Sequence, residues 1–308
     1  MEKVEILKVN NLKKSFKDNI ILDDLSCSVK QGEVFGFLGK NGAGKTTTMK
    51  MILGFLKPNS GSIKVCGELV SFGNTKTNKN IGYLPDVPEF YGYMTPLEYL
   101  NLCGEISGVD KKKIKEKSIE LLELVGLNNL NRKISGFSRG MKQRLGIAQA
   151  LINEPKLLIC DEPTSALDPV GRKEILDILQ CIKGDTTIVF STHILSDVER
   201  ICDTIGVLDK GKMVLQGKLQ EIKKDYRQDK ILIQSNTISG LRKLEEHIIL
   251  DSNVIKVDLD KNTMIITLKD LENTSMGILN FIISNKIPLL KYEVCEPSLE
   301  SMFLEVIS

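Results

Sequence analysis

Gly39-Lys40-Asn41-Gly42-Ala43-Gly44-Lys45-Thr46 combines glycines, a lysine and a hydroxyl at a spacing suited to cradling phosphate. Phosphates carry dense negative charge. A loop that holds them must bring backbone N–H groups close, and side chains at the glycine positions would obstruct that approach. The loop must also open a helix whose positive end faces the anion. Lys45 then supplies a point charge to the β- and γ-phosphates, Thr46 offers a hydroxyl to Mg²⁺, and Thr47 adds a second hydroxyl beside it. The alternative is a chance glycine-rich turn. A strand-like run before the loop and a helix-like run after it argue against that.

Leu157-Leu158-Ile159-Cys160-Asp161-Glu162 is a second chemical element, an apolar strand that delivers two carboxylates to a sheet edge. Asp161 is expected to hold Mg²⁺, directly or through water. Glu162 is placed to accept a proton from, or to orient, the water that attacks a γ-phosphate. A solvated strand end carrying two acids is the plainer alternative. It loses ground beside the glycine loop.

Four more segments complete the set: Ile81-Gly82-Tyr83-Leu84-Pro85-Asp86, Phe137-Ser138-Arg139-Gly140-Met141-Lys142-Gln143-Arg144, Ser165-Ala166-Leu167-Asp168, and Thr187-Ile188-Val189-Phe190-Ser191-Thr192-His193. In this order, over about residues 4–217, the chain resembles the nucleotide-binding domain of an ABC ATPase. The resemblance implies an α/β P-loop NTPase fold: a RecA-like core, an N-terminal antiparallel β subdomain and a helical insert over about residues 87–140. It also implies that two such domains, as a homodimer or heterodimer, face head to tail and sandwich ATP. Ser138 and the backbone N–H of Gly140 would then reach the γ-phosphate held by the opposite copy. His193 would contact the γ-phosphate from its own side, and Asp168 would communicate between the two sites. Phe16 falls where the family stacks an aromatic on adenine; burial in a β core is its other reading. His247 has no such context and reads as a surface or packing residue.

The chain departs from the family pattern at two positions. Arg139 stands where the signature has a glycine, and it either contacts phosphate or points to solvent. Asp86 stands where the family has a glutamine. It is shorter and charged, but still able to touch Mg²⁺ or its water.

These residues need elements to position them. Val4 to Val29 reads as β-rich segments, Glu33–Leu38 as the strand that feeds the phosphate loop, and Thr46 to Leu56 as a helix ended by Lys57-Pro58-Asn59-Ser60-Gly61. Tyr91 to Val125 turns helical, with Leu97, Leu100, Ile119, Leu122 and Leu124 expected on buried faces. Lys111-Lys112-Lys113 is expected on a solvated one. Lys156–Cys160 and Thr187–Ser191 return to buried strands. After Gly217 the pattern is strand Lys230–Ser235, helix Gly240–Leu250, hairpin Val254–Asp258 and Thr263–Leu268, helix Thr274–Asn285 and strand Leu289–Glu293, a βαββαβ order that is ferredoxin-like. Leu299, Met302, Phe303 and Val306 form a terminal helical stripe. The expected domains are 1–218, the ABC ATPase domain, and 219–308, a small α+β accessory domain.

At 308 residues the chain holds two domains of the usual size of about 150 residues. Its 42 basic and 40 acidic residues leave +2, which does not indicate a polybasic nucleic-acid binder, so no nucleic-acid partner is expected. No apolar run approaches the roughly 20 residues of a membrane span, and Met1-Glu2-Lys3-Val4-Glu5 is charged where a signal peptide would need an apolar stretch. The expected location is cytoplasmic, on the inner membrane face through a separate permease. Seven scattered cysteines without a Cys-x-x-Cys pair read as reduced thiols.

The expected function is therefore the ATP-binding, ATP-hydrolysing subunit of an exporter, with the transporter contact at Pro88-Glu89-Phe90-Tyr91-Gly92-Tyr93-Met94. The tail Glu296-Pro297-Ser298-Leu299-Glu300-Ser301-Met302-Phe303-Leu304 resembles that of bacitracin-resistance and drug-efflux subunits. The alternative is a soluble ABC ATPase acting on ribosomes or DNA.

Overall fold

Alternating apolar and polar residues build the first hairpin, β1 (Glu5–Phe16) and β2 (Asn19–Lys30), whose inward Leu7, Val9, Leu12, Leu22, Leu25 and Val29 are buried. The structure, a computed structural model, describes residues 4–73, 76–128, 131–225, 229–295, 299–300 and 302–303. Its contacts divide the chain into two units, Met1–Leu219 and Gln220–Ser308.

In the first unit β3 (Val34–Leu38) is buried along its whole length, as an apolar run flanked by strands on both sides must be. The glycine loop follows and opens α1 (Lys45–Ile52). This helix stops short of the expected Leu56. Its C-cap is Leu53, and Gly54 takes φ +72°, so a glycine ends it before Pro58 is reached. β4 (Ser60–Val65) and β5 (Glu68–Leu69) join the hairpin in an antiparallel sheet of order β2-β1-β4-β5.

After β6 (Ile81–Leu84) comes the helical insert, α2 (Pro96–Ile106) and α3 (Lys111–Leu124). Thr95 and Glu98 form a reciprocal capping box at the start of α2, and the Thr95 donors hold the Glu98 carboxyl below its usual range. On α3 the buried face is Ile114, Ser118 and Leu122, whereas Ile119 and Leu124 are exposed, contrary to the sequence expectation. The inward stripe therefore runs at steps of four through a serine, which an apolar count overlooks.

α4 (Arg139–Leu151), β7 (Leu157–Asp161), α5 (Pro169–Cys181), β8 (Thr187–Thr192), α6 (Leu195–Ile201), β9 (Thr204–Asp209) and β10 (Lys212–Lys218) complete the core. The six-stranded sheet has the order β10-β9-β3-β8-β7-β6; only the β9–β10 pair is antiparallel. Because β3, β6, β7 and β8 are parallel, their carboxyl ends open on one edge, where ligands of open α/β sheets bind.

α7 (Leu219–Asp225) leads on to β11 (Asp229–Ser235), α8 (Ile238–Ile248), β12 (Val254–Asp260), β13 (Thr263–Leu268), α9 (Leu271–Ser284) and β14 (Leu289–Cys295). The second unit's sheet is antiparallel, of order β12-β13-β11-β14, which is the split βαβ arrangement of a ferredoxin-like fold. Ile231, Ile233, Leu241, Leu244, Met264, Ile266, Ile278 and Ile282 form its core. Leu299 and Met302 are buried, while Glu296, Pro297, Ser298, Ser301, Leu304 and Val306 lie outside the described residues. His247 is exposed and stacks on Phe281, ring centroids 4.1 Å apart.

The cysteines are free, as expected, and burial pushes the Cys27 thiol up to about 12. Sheet and helix approach closely at Gly82 in β6, where an added Cβ would collide with the Ala150 carbonyl oxygen of α4. Gly82→Ala is expected to lower the unfolding free energy by about 1–3 kcal/mol through this overpacking, as measured by urea denaturation.

Candidate active site

The carboxyl ends of β3, β7 and β8 bring the first cluster together. In the glycine loop, Gly44 is the N-cap of α1 with φ +109°, and an added Cβ would lie 2.6 Å from Leu22 Cδ2. Gly42 has φ +84° and nothing within 4 Å of where a Cβ would be, so the loop backbone is open there. Asn41 and Thr46 are exposed, Thr47 is half-buried, and Gly39 and Ala43 are buried.

Lys45 is only 6% exposed. Its Nζ donates to the carbonyl oxygens of Gly39 at 2.7 Å and Lys40 at 3.4 Å, and stands 3.1 Å from Glu162 Oε1. This last contact is an ion pair without hydrogen-bond alignment, so Oε1 is a buried acceptor still lacking an aligned donor. Glu162 Oε2 lies 2.9 Å from His193 Nδ1. Glu162 has φ +50°, which turns the chain out of β7 directly after Asp161.

That turn is pinned by a serine from the neighbouring strand. The Glu162 N–H donates to the Ser191 carbonyl at 3.1 Å and to Ser191 Oγ at 3.0 Å, and Ser191 Oγ donates to Asp161 Oδ1 at 2.6 Å. The local field is negative. Burial first, then the charges of Asp161 and Asp86, push the Tyr83 phenol up to about 12. Behind the site Thr164 Oγ1 donates to Asp197 Oδ2 at 2.6 Å, and burial raises the Asp197 carboxyl above its usual range despite that bond.

A second cluster joins Asp86, Ser165 and Arg139. The Ser165 hydroxyl donates to Asp86 Oδ1, and Arg139 Nη2 lies 3.4 Å from the same oxygen and 3.5 Å from Ser165 Oγ. Gln143 Nε2 donates to the Asp86 carbonyl at 2.5 Å. Arg139 thus neither points to solvent alone nor stands free; it faces the other residue that departs from the family pattern.

Ser138 caps α4 by accepting from Met141 N at 3.2 Å, and Gly140 lies in the first turn of that helix. Asp168 caps α5, accepting from Gly171 N at 3.0 Å. Phe16 ends β1 at 49% exposure with Lys14 Nζ 4.8 Å over its ring, so the alternative of burial in the β core is excluded. Among the described residues no hydrogen bond or ion pair joins Ser138, Gly140 or Phe16 to the Lys45 cluster.

Comparison with known proteins shows the family. The ABC transporter family profile matches residues 22–165, and the profile of the C-terminal domain of DrrA1-3-like ATP-binding proteins matches residues 217–307. The uncharacterized ABC transporter ATP-binding protein YxlF of Bacillus subtilis (strain 168) is 38% identical over 304 residues, covering 98% of this chain and 99% of that protein. The chain belongs to the ATP-binding proteins of ABC transporters. As a member of that family it is an ATPase.

Another relative in the family, the bacitracin transport ATP-binding protein BcrA of Bacillus licheniformis, is 37% identical over 98% of this chain and 97% of its own length. The crystal structure of the ADP conformation of MJ1267, an ATP-binding cassette of an ABC transporter, superposes with a TM-score of 0.65 at 28% identity, covering 71% of this chain and 92% of that one.

Thr46, in the first turn of α1, and Asp161, at the end of β7, carry hard oxygen donors of the kind Mg²⁺ prefers. Among the described residues no group of three or more His, Cys, Asp and Glu is built to hold a metal. Sequence reasoning named Ser191 only as part of a strand. A hydroxyl at the end of a wholly buried strand must find a partner, and that was the signal available. Ser191→Ala is expected to cost about 1–3 kcal/mol of stability because it leaves Asp161 short of a buried donor, as read by denaturant unfolding.

Proposed function

We propose that this chain binds and hydrolyses Mg²⁺-ATP as one of two nucleotide-binding domains that close head to tail and drive efflux through a separate membrane permease. The supporting observation is the buried Lys45 ammonium, set between the loop carbonyls and Glu162, with His193 on the far side of the same carboxylate.

Lys45 and the open loop backbone bind the β- and γ-phosphates, with Gly39, Asn41, Gly42, Ala43, Gly44, Thr46 and Thr47 lining the cradle. Bound Mg²⁺, held by Thr46 and Asp161 with Asp86 near its water shell, would neutralise charge that develops on the phosphates. Glu162 orients or deprotonates the attacking water, and His193 holds that carboxylate and contacts the γ-phosphate. Ser138 and the Gly140 N–H reach the nucleotide of the opposite copy. Asp168 links the two sites, and Phe16, exposed at the hairpin end, stacks on adenine. Residues 1–218 form the ATPase domain, and 219–308 an accessory domain.

The permease contact is placed at a cleft of about 480 Å³ lined by Asp86, Pro88, Phe90, Gly92, Ile134 and Lys142. Phe90 packs edge-on against Tyr99, centroids 5.1 Å apart, and so belongs partly to the insert's own core. Tyr91 and Tyr93 stack at 5.9 Å and are 54% and 67% exposed. No helix among the described residues is long and apolar enough to cross a membrane, which supports a separate spanning subunit. Export rather than uptake rests on the match of the C-terminal unit and on the relationship to BcrA.

Lys45→Ala is expected to abolish nucleotide binding in a fluorescent-ATP titration. Glu162→Gln is expected to retain binding while hydrolysis falls at least about 100-fold; normal turnover in that variant removes Glu162 from the proposed role. Tyr91→Ala/Tyr93→Ala is expected to reduce co-purification with the membrane permease, while ATP binding by the free subunit stays intact.

A further inference from the structure

The second unit holds a cleft of about 360 Å³ between the end of α8 and the first turns of α9, within the size range of small-molecule sites. No residue of the phosphate cradle belongs to it. We propose that this cleft binds a small organic ammonium, an amine carried on an apolar body.

Two residues of its walls serve no purpose in the fold itself. Thr274 lines the cleft at 4% exposure, and its Oγ1 is buried without a hydrogen-bond partner. A buried hydroxyl left unpaired is a standing cost, which the polar group of a ligand removes. Gly277 lies inside α9, where glycine weakens a helix more than any residue but proline. Neither packing nor backbone conformation calls for glycine there: an added Cβ would meet nothing within 4 Å, and its φ is not positive. The bare backbone keeps the α9 wall of the cleft open.

Charge sets the class of ligand. Asp251 follows α8; its Oδ1 accepts from the Asn253 N–H at 2.8 Å, and its Oδ2 has no hydrogen bond among the described residues. The negative end of the α8 dipole faces the same place, since Ile248, the last residue of that helix, and Leu250 beyond it line the cleft. The positive end of α9 is closed to an anion, because Asp270 already caps it. That carboxylate accepts from the backbone N–H and the Nδ2 of Asn273, and these donors hold it below its usual range. Among the described residues no lysine or arginine lines the cleft. An ammonium therefore meets a half-free carboxylate, a helix carboxyl end and an unpaired hydroxyl, whereas a carboxylate meets repulsion. The apolar body has its own wall. His247 is held flat by its stack on Phe281, Ile248 and Ile278 are buried, and Leu250, 86% exposed, gains by being covered.

The test titrates the full chain, isotope-labelled at its Ile and Leu methyl groups, with phenethylamine and follows Ile248, Leu250 and Ile278 by NMR. Saturable shifts at these residues are expected. Phenethyl alcohol and hydrocinnamate are expected to bind at least about tenfold more weakly, the worth of one charged hydrogen bond. Asp251→Asn keeps an acceptor for Asn253 but drops the charge, and is expected to erase the preference for the amine over the alcohol. Gly277→Leu is expected to remove binding while the thermal unfolding midpoint holds or rises, because leucine fills open space and favours helix. The absence of saturable shifts with the amine overturns the proposal, as does equal binding of hydrocinnamate or undiminished amine binding in Gly277→Leu. A preference for the amine that survives Asp251→Asn overturns it too, and that arm stands even if Gly277→Leu fails to fold.

Discussion

A buried ammonium dictates the terms of this site. Lys45 is almost wholly removed from water, and the cost of burying a charge is several kcal/mol unless partners replace the lost hydration. The loop carbonyls of Gly39 and Lys40 take two of its hydrogens, and Glu162 supplies the countercharge at 3.1 Å. The carboxylate proposed to act on water is thus the same group that keeps the empty loop electrically tolerable. In the proposed function, phosphate entering the cradle would take over that duty and leave Glu162 paired with His193, 2.9 Å away. On that proposal, binding and readiness for hydrolysis would be one electrostatic exchange.

The exchange works only if the carboxylate, the lysine and the histidine arrive from different strands in fixed register, and parallel pairing provides this. Leu38 pairs opposite Thr192, and Asp161 opposite Ser191, so the loop after β3 and the residues after β7 and β8 leave the sheet at one level. Ser191 then sets the fine geometry. It satisfies the Glu162 N–H at the left-handed turn and also binds Asp161. A residue with φ +50° next to a buried carboxylate would be costly without such a double anchor.

The elements and the individual side chains of the cassette were legible in the sequence to different degrees, and for a physical reason. The glycine loop, the acidic pair and the βαββαβ order of the second unit are local patterns in which residue type and spacing carry the information. Long-range contacts between ordinary polar residues leave no such trace. Ser191 reaching back to Asp161, Thr164 holding Asp197, and Ser165 holding Asp86 join segments roughly thirty to eighty residues apart. Periodicity misled at α3, where Ser118 occupies the buried stripe and Ile119 does not. It also overextended α1, where Gly54 ended the helix ahead of the more visible Pro58.

The edges of the second unit follow a different logic. Its sheet buries one face under α8 and α9, while on the opposite face the outer strands β12 and β14 carry paired charges, Lys256 with Asp258 at 2.7 Å and Lys291 with Glu293 at 2.6 Å. Charges on edge strands discourage sheet extension by another chain. The central positions of that face, Leu232 and Ile265, are flanked by Glu293 on one side and Asp258 on the other through the strand register. An apolar centre framed by charge on both sides resists the strand-to-strand pairing that would otherwise compete with the nucleotide-driven association proposed for the first unit.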